Sequence, residues 1–327
     1  MTETRRFVEV DALKAVGIVA VVLIHSLRPP WDETLSQTEV WLGHLTRFAV
    51  PAFLLGSGFL YATTAPVPLA QTLRRLRRVL VPYVLASLGA QLWWTLTGAS
   101  SPTGSFLDDL LFGSSFGPYY YVFVIFWLIL ITPFVARLPR PMLFPIAGVL
   151  IAAQWMTDAA VWLPVDLFIQ VRSPLLWWAY FLIGWLLRVN LSSFEHWIVP
   201  RRTPVAIALA MAVSVLTWAS AQPGPFLWVR SAAWLEVYGV LGLIMTLATA
   251  RTSSPPALRW LADATYAIYL LHLFFVYPLQ HLFPPAPLQT EWLPILLPWL
   301  GSLAGSIAAV ALLQRLLGKR SRDLIGA

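Results

Sequence analysis

A chain of 327 residues that is 58% hydrophobic and only 11% charged, with a mean hydropathy of +0.72, is excluded from the ordinary soluble domains, which carry about twice that charge. Its net charge of +7 raises the question of nucleic acid, but the basic residues fall between apolar runs rather than along one soluble face, so nucleic acid is not an expected partner. With no cysteine, disulfides, zinc–thiolate sites and S-palmitoylation are excluded, and no metal site is expected.

In chain order, the apolar runs predict an all-α polytopic membrane protein with about ten transmembrane helices. They lie near 12–28, 41–62, 79–97, 119–136, 142–157, 173–188, 203–220, 231–250, 258–280 and 292–316. Residues 1–327 read as a single integral membrane domain with no soluble domain, because the longest connections are about twenty residues and rich in Pro, Gly and Ser. Two of these connections, Gly98 to Pro118 and Thr157 to Arg172, have room for short interfacial helices. The first run is not a cleaved signal peptide, since it holds Lys14 and is followed by Ser26-Leu27-Arg28-Pro29-Pro30 rather than a small-residue cleavage site.

The loop charges set the orientation. Arg5 and Arg6, the loop with Arg74, Arg75, Arg77 and Arg78, the groups Arg137 and Arg140, Arg188, Arg201 and Arg202, Arg251 and Arg259, and the tail Arg315, Lys319, Arg320 and Arg322 all fall on one side. By the positive-inside rule that side is the cytoplasm, and both termini lie there. The alternate loops hold Asp32, Glu33, Glu39, Asp108, Asp109, Asp158, Asp166 and Glu291, with Arg28, Arg172 and Arg230 as their cations. Tryptophans such as Trp41, Trp94, Trp177 and Trp292 fall near the expected helix ends, as interfacial anchors do.

The first run carries Asp11, Lys14 and His25. An ionisable group inside a membrane helix costs about 2.5–3.5 kcal/mol on insertion scales, so it faces protein or a polar cavity. Eleven residues is close to a whole number of turns, which places Lys14 and His25 on one face about 16 Å apart. Later in the chain, His44 and Arg47 on the second run and Glu236 on the eighth are expected at the outer half, where an acceptor enters. Pro51 and Gly56-Ser57-Gly58 are expected to kink and thin the second helix. Tyr266, Tyr269 and His272 recur every three residues and share an arc about 120° wide on the ninth. Asp263 reads as an N-terminal residue of that helix, favoured by its dipole.

Val10-Asp11-Ala12-Leu13-Lys14 followed by His25, then Arg47-Phe48-Ala49-Val50-Pro51 through Gly56-Ser57-Gly58-Phe59-Leu60, then Arg78-Val79-Leu80-Val81-Pro82-Tyr83, then Ala264-Thr265-Tyr266-Ala267-Ile268-Tyr269-Leu270-Leu271-His272, resemble the acyltransferase family 3 integral membrane proteins. The Arg47 to Leu60 segment is most similar to the bacterial surface-polysaccharide O-acetyltransferases of that family. One position departs: the family usually has arginine eleven residues before the first-helix histidine, and here stands Lys14, which keeps the charge without the bidentate fork. The sequence ends just after its last apolar run, so the fused extracytoplasmic esterase-like domain of some members is not expected in it.

The resemblance implies transfer of an acetyl or other short acyl group from cytoplasmic acetyl-CoA to a hydroxyl of a glycan or lipid-linked sugar, in the bacterial inner membrane. It makes His25, with Lys14 and Asp11, the expected catalytic residues. The cluster Arg74, Arg75, Arg77 and Arg78 is the expected holder of the CoA phosphates, or else a contact for anionic membrane lipid. Arg47, Glu236, Tyr269 and His272 are the expected acceptor-binding residues, or else Arg47 and Glu236 form an ion pair that ties helices together and His272 a helix-to-helix hydrogen bond. The competing expectation is a ten-helix carrier or flippase of an anionic or sugar-linked solute, with the same buried charges lining its pathway.

Overall fold

The computed structural model describes residues 6–28, 35–63, 65–159, 169, 171–222, 226–284 and 292–327. Of the loop charges above, Arg5, Asp32, Glu33, Asp166 and Glu291 lie outside the described residues, as do the side chains of Asp158 and Arg230. The described chain is all helix and connections, with no strand. Among the described residues, four stretches are long and apolar enough to cross a membrane: Leu69–Thr97, Gly117–Val135, Leu191–Ser220 and Leu293–Leu324. A fifth is the pair Pro256–Leu271 and Leu273–Leu282, bent by 60° at its junction. The protein is therefore a multi-pass membrane protein.

The chain divides into two compact units. Unit 1 comprises Met1–Ala62, Pro139–Val165 and Leu175–Asp263. It contains α1 (Val8–Ser26), α2 (Gln37–Thr46), α3 (Ala49–Tyr61), α7 (Arg140–Ala159), α8 (Pro174–Val189), α9 (Leu191–Ile198), α10 (Arg202–Ser220), α11 (Phe226–Ala248) and the first half of α12 (Pro256–Leu271). Unit 2 comprises Thr63–Leu138, Asp166–Pro174 and Ala264–Ala327. It contains α4 (Leu69–Thr97), α5 (Phe106–Phe112), α6 (Tyr120–Val135), the second half of α12, α13 (Leu273–Leu282), α14 (Leu293–Leu317) and the short α15 (Ser321–Leu324).

In unit 1, α1 is a central post. Apolar residues surround it almost completely, as in a helix buried on all sides; Leu13, Ile18 and Val22 are wholly buried, and of the whole helix only Val16 is exposed. It packs on α3 and α11. The expected thinning of the second run is present, because a Cβ on Gly58 would lie 1.8 Å from the Phe181 carbonyl oxygen and one on Gly184 would lie 2.0 Å from that of Leu55. The α3 and α8 backbones meet where only glycine fits.

Three expectations are corrected. The second run is not one helix over 41–62 but two, parting at Arg47–Phe48. Ser36 opens α2 with a capping box to Glu39, and Pro51 in the first turn of α3 has no N–H to give the Arg47 carbonyl while its ring crowds that oxygen. The ninth run is not one straight helix over 258–280: the Tyr119 hydroxyl donates to the Leu270 carbonyl at 2.5 Å, and His272 Nδ1 stands 2.7 Å from the Tyr269 carbonyl. Two successive carbonyls are thereby engaged by side chains, which is how a helical ladder breaks without proline at the break. Finally, α4 begins at Leu69, ten residues before the expected start, so the arginine cluster belongs to a helix and not to a loop.

Candidate functional site

The N-terminal end of α1 is built around a guanidinium. Arg6 reaches Asp11 through Nε at 2.6 Å and through its second terminal nitrogen at 3.0 Å. The same side chain donates to both carboxylate oxygens of Asp263 at 3.1 Å and to the Arg259 carbonyl at 3.1 Å. The Ser254 hydroxyl adds a 2.5 Å bond to Asp11 Oδ2. Asp11 is therefore buried with its oxygens engaged, and the bond to its carboxylate, with Asp263 beyond, raises the Arg6 pKa well above its ordinary value. Asp263, expected near a helix start, lies two turns into α12, because that helix opens earlier, at Pro256.

Lys14 follows one turn after Asp11, half-buried, attracted by the charges of Asp263 and Asp11 and repelled by Arg6. His25 lies in the last turn of α1, also half-buried. Between them on the same face stand Ile18 and Val21, 0% and 1% exposed. The face is therefore polar and reachable at its two ends and apolar and sealed in the middle. It is not a continuous polar track.

Just past His25, Arg28 clasps Glu39 of α2 with Nε at 2.9 Å from Oε1 and a terminal nitrogen on Oε2, while the Ser36 backbone N–H gives Oε2 a 3.0 Å bond. That clasp lays α2 against the end of α1 and brings in His44, half-buried on α2, and Arg47, exposed at its C-cap. Deeper in unit 1, Glu236 on α11 is 1% exposed and accepts from Thr217 Oγ1 at 2.5 Å and Ser220 Oγ at 3.1 Å, both on α10. The Arg47 charge acts on Glu236. Unit 1 thus gathers seven of the residues expected from sequence to be polar within the membrane: Asp11, Lys14 and Asp263 at one end of α1, and His25, His44, Arg47 and Glu236 on elements toward the other.

Unit 2 holds the rest. Arg74, Arg77 and Arg78 are exposed on one side of the first turns of α4, and Arg75, to one side of them, is half-buried. Tyr269 and His272 are sealed inside the unit, 2% and 0% exposed. The Tyr269 hydroxyl donates to the Pro118 carbonyl, and its ring stacks on Tyr266 and meets Tyr119 and Tyr121. Sequence reasoning missed Ser254, Thr217 and Ser220, and read Arg6 only as a topology charge. The one signal for Arg6 was its closeness to Asp11; nothing in the sequence ties α10 hydroxyls to Glu236.

Chemically, α1 offers a neutralised acidic anchor, an amine beside it, and an imidazole about 16 Å further along. Compared with known proteins, residues 7–314 match a family described as an acyltransferase domain. No curated protein and no solved structure matches the chain.

Proposed function

The chain belongs to acyltransferase family 3 and is an acyltransferase, and from that premise we propose that it moves an acetyl or similarly short acyl group from cytoplasmic acyl-CoA to a hydroxyl of a cell-surface glycan or lipid-linked sugar, across a bacterial inner membrane spanned about ten times. Family membership sets aside the carrier reading, which the buried charges alone left open. What supports the reaction direction is one face of α1 that is reachable at its two ends, one carrying Lys14 and the other His25, and sealed between them by Ile18 and Val21. The separation suits the donor, since an extended CoA arm places its thioester roughly 15–20 Å from its phosphates. Exposed guanidinium groups on the first turns of α4 match those phosphates in charge and hydrogen-bond geometry, and in this reading they hold them.

In the transfer step the His25 imidazole takes the proton of the acceptor hydroxyl as its oxygen attacks the thioester carbonyl carbon. The C–S bond then breaks and the CoA sulfur leaves as thiol, receiving the proton from the imidazolium. Lys14, on which the charges of Asp263, Asp11 and Arg6 act, is the amine that guides the donor's anionic end into the bundle. Arg47 and Glu236 offer the sugar a donor and an acceptor.

The test is His25→Ala in nanodiscs, with free thiol release from acetyl-CoA and binding of acetyl-CoA measured separately. Turnover is expected to fall by about a hundredfold or more, the worth of a positioned base, with donor affinity kept. Full turnover in that variant would overturn the mechanism. Acid-labile acyl label trapped on the wild type and missing from the variant would redirect it to an acyl-histidine route.

A further inference from the structure

Unit 2 contains an apolar groove of about 200 Å³ that takes no part in the transfer proposed above. Its walls are α4 from Pro82 to Gly89 and α12 from Ala267 to Leu271 with Phe274 beyond, and its lip is Leu324 and Ile325 of the C-terminal segment. Pro82, Ala86 and Gly89 follow one another at helical spacing opposite Ala267, and it is this run of small side chains that leaves the space. Every lining side chain is apolar, so the groove offers a sugar, nucleotide or peptide no side-chain hydrogen bond.

We propose that the groove holds one acyl chain of an anionic membrane phospholipid, with the phosphate against the cations of the C-terminal segment. Two observations select that occupant. The first is where the groove opens: Leu85 lines it and is 45% exposed, and Leu88, Leu92 and Leu96, at 50%, 58% and 77%, continue the same face of α4 at steps of three and four. On a span long enough to cross a bilayer, that face is the lipid-facing one, and a slot cut into it is reached sideways from the hydrocarbon. The second is charge. Lys319, Arg320 and Arg322 are exposed within a few residues of the lip, against the single carboxylate of Asp323. Basic residues at a membrane surface attract anionic headgroups.

The cations are fixed there and not on a loose tail. α15 packs on α4, the Ser321 hydroxyl donates to the Ala327 carbonyl at 2.7 Å, and Gly326 turns at φ +79° with a Cβ position 2.6 Å from the Tyr266 ring. This segment also lies beyond residues 7–314, so the headgroup site is not part of the stretch that defines the family. A chain in the groove lies against Leu270 and Leu271, the residues just before the bend at His272, and holds that bend.

The experiment uses the full chain purified in mild detergent, with phosphatidylglycerol and phosphatidylcholine of identical chains added in turn. Retained lipid is read by native mass spectrometry and Tm by thermal unfolding. Phosphatidylglycerol is expected to stay bound and to raise Tm with concentration, as a ligand of the folded state does, and phosphatidylcholine to do so far less. Arg320→Gln with Arg322→Gln should erase the difference between the two lipids. Ala86→Trp, which fills the groove, should remove retention of both; if that variant does not fold, the arginine pair alone decides. Equal retention of the two lipids by the wild type, or a preference that survives the arginine changes, overturns the proposal.

Discussion

Among the carboxylates buried in unit 1, Asp11, Glu39 and Glu236 are satisfied in two different ways. Asp11 and Glu39 each take an arginine from just outside the adjoining helix, Arg6 and Arg28, with serine adding a further bond. Glu236 is held by the hydroxyls of Thr217 and Ser220, with the charge of Arg47 acting on it. The Arg28–Glu39 clasp has a measurable consequence. Burial on its own pushes the Glu39 carboxyl up, but the bonds from Arg28 and Ser36 outweigh it and hold the carboxyl below its ordinary range. A carboxylate depressed on folding adds stability that is fully present above its unfolded value, about 4.3, and is lost as pH falls through the folded one. Thermal unfolding should therefore lose stability in that acid window, and Glu39→Gln should lose stability at neutral pH while flattening the acid limb. An unchanged acid limb would show that the clasp is not formed. From sequence Glu39 was only a loop charge, because an ion pair closed across a turn leaves no periodic trace.

At the scale of elements, the ends of most helices fall within a few residues of where the apolar runs put them, because long runs ending in Pro, Gly and charge state their own limits. The breaks were harder to read. Pro51 marks one in plain sight, but an unbroken apolar run hid that it ends a helix rather than kinking it. The α12–α13 break could not be read at all, since it depends on a tyrosine hydroxyl from 151 residues away. The glycines at 56 and 58 look alike in sequence and differ in the fold. A Cβ at Gly58 would strike the α8 backbone at 1.8 Å, whereas one at Gly56 meets only Val10 Cγ1 at 3.7 Å. Gly58→Ala should cost about 3 kcal/mol or more, the upper range for overpacking, and remove most folded protein, because a backbone cannot step aside as a side chain does. Gly56→Ala should leave Tm within a few degrees. Equal behaviour of the two variants would mean that α3 and α8 do not cross there.

For the whole molecule, the all-α membrane architecture and its family were legible in composition and motif order, whereas the partition of polar residues was not. The stripe on α1, the Glu236 nest and the Arg6 clasp fall in unit 1, and the arginine run with Tyr269 and His272 falls in unit 2. Periodicity places a residue on a face of its own helix but says nothing of which distant helix it meets.

Orientation in the membrane is where sequence and structure combine into a prediction. At 29 residues α4 is about 43 Å long, against a hydrocarbon core of about 30 Å, so roughly nine residues must project from it. The apolar stripe through Leu88, Leu92 and Leu96 fixes which end stays in lipid, and the projecting end is the one that carries Arg74, Arg75, Arg77 and Arg78. Positive charge at a projecting end is retained on the cytoplasmic side. Reporter fusions after Leu73 and Ser253 should therefore read cytoplasmic, and one after Ser105, at the N-cap of α5, should read outside. Ser254 reinforces the assignment, since its bond to Asp11 ties the segment after α11 to the N-terminal end of α1. The fusion at 253 must then agree with the amino terminus, and that at 73 follows from the charge rule alone. Should they read outside, the arginine run faces away from any cytoplasmic thioester, and the donor site proposed for it is lost.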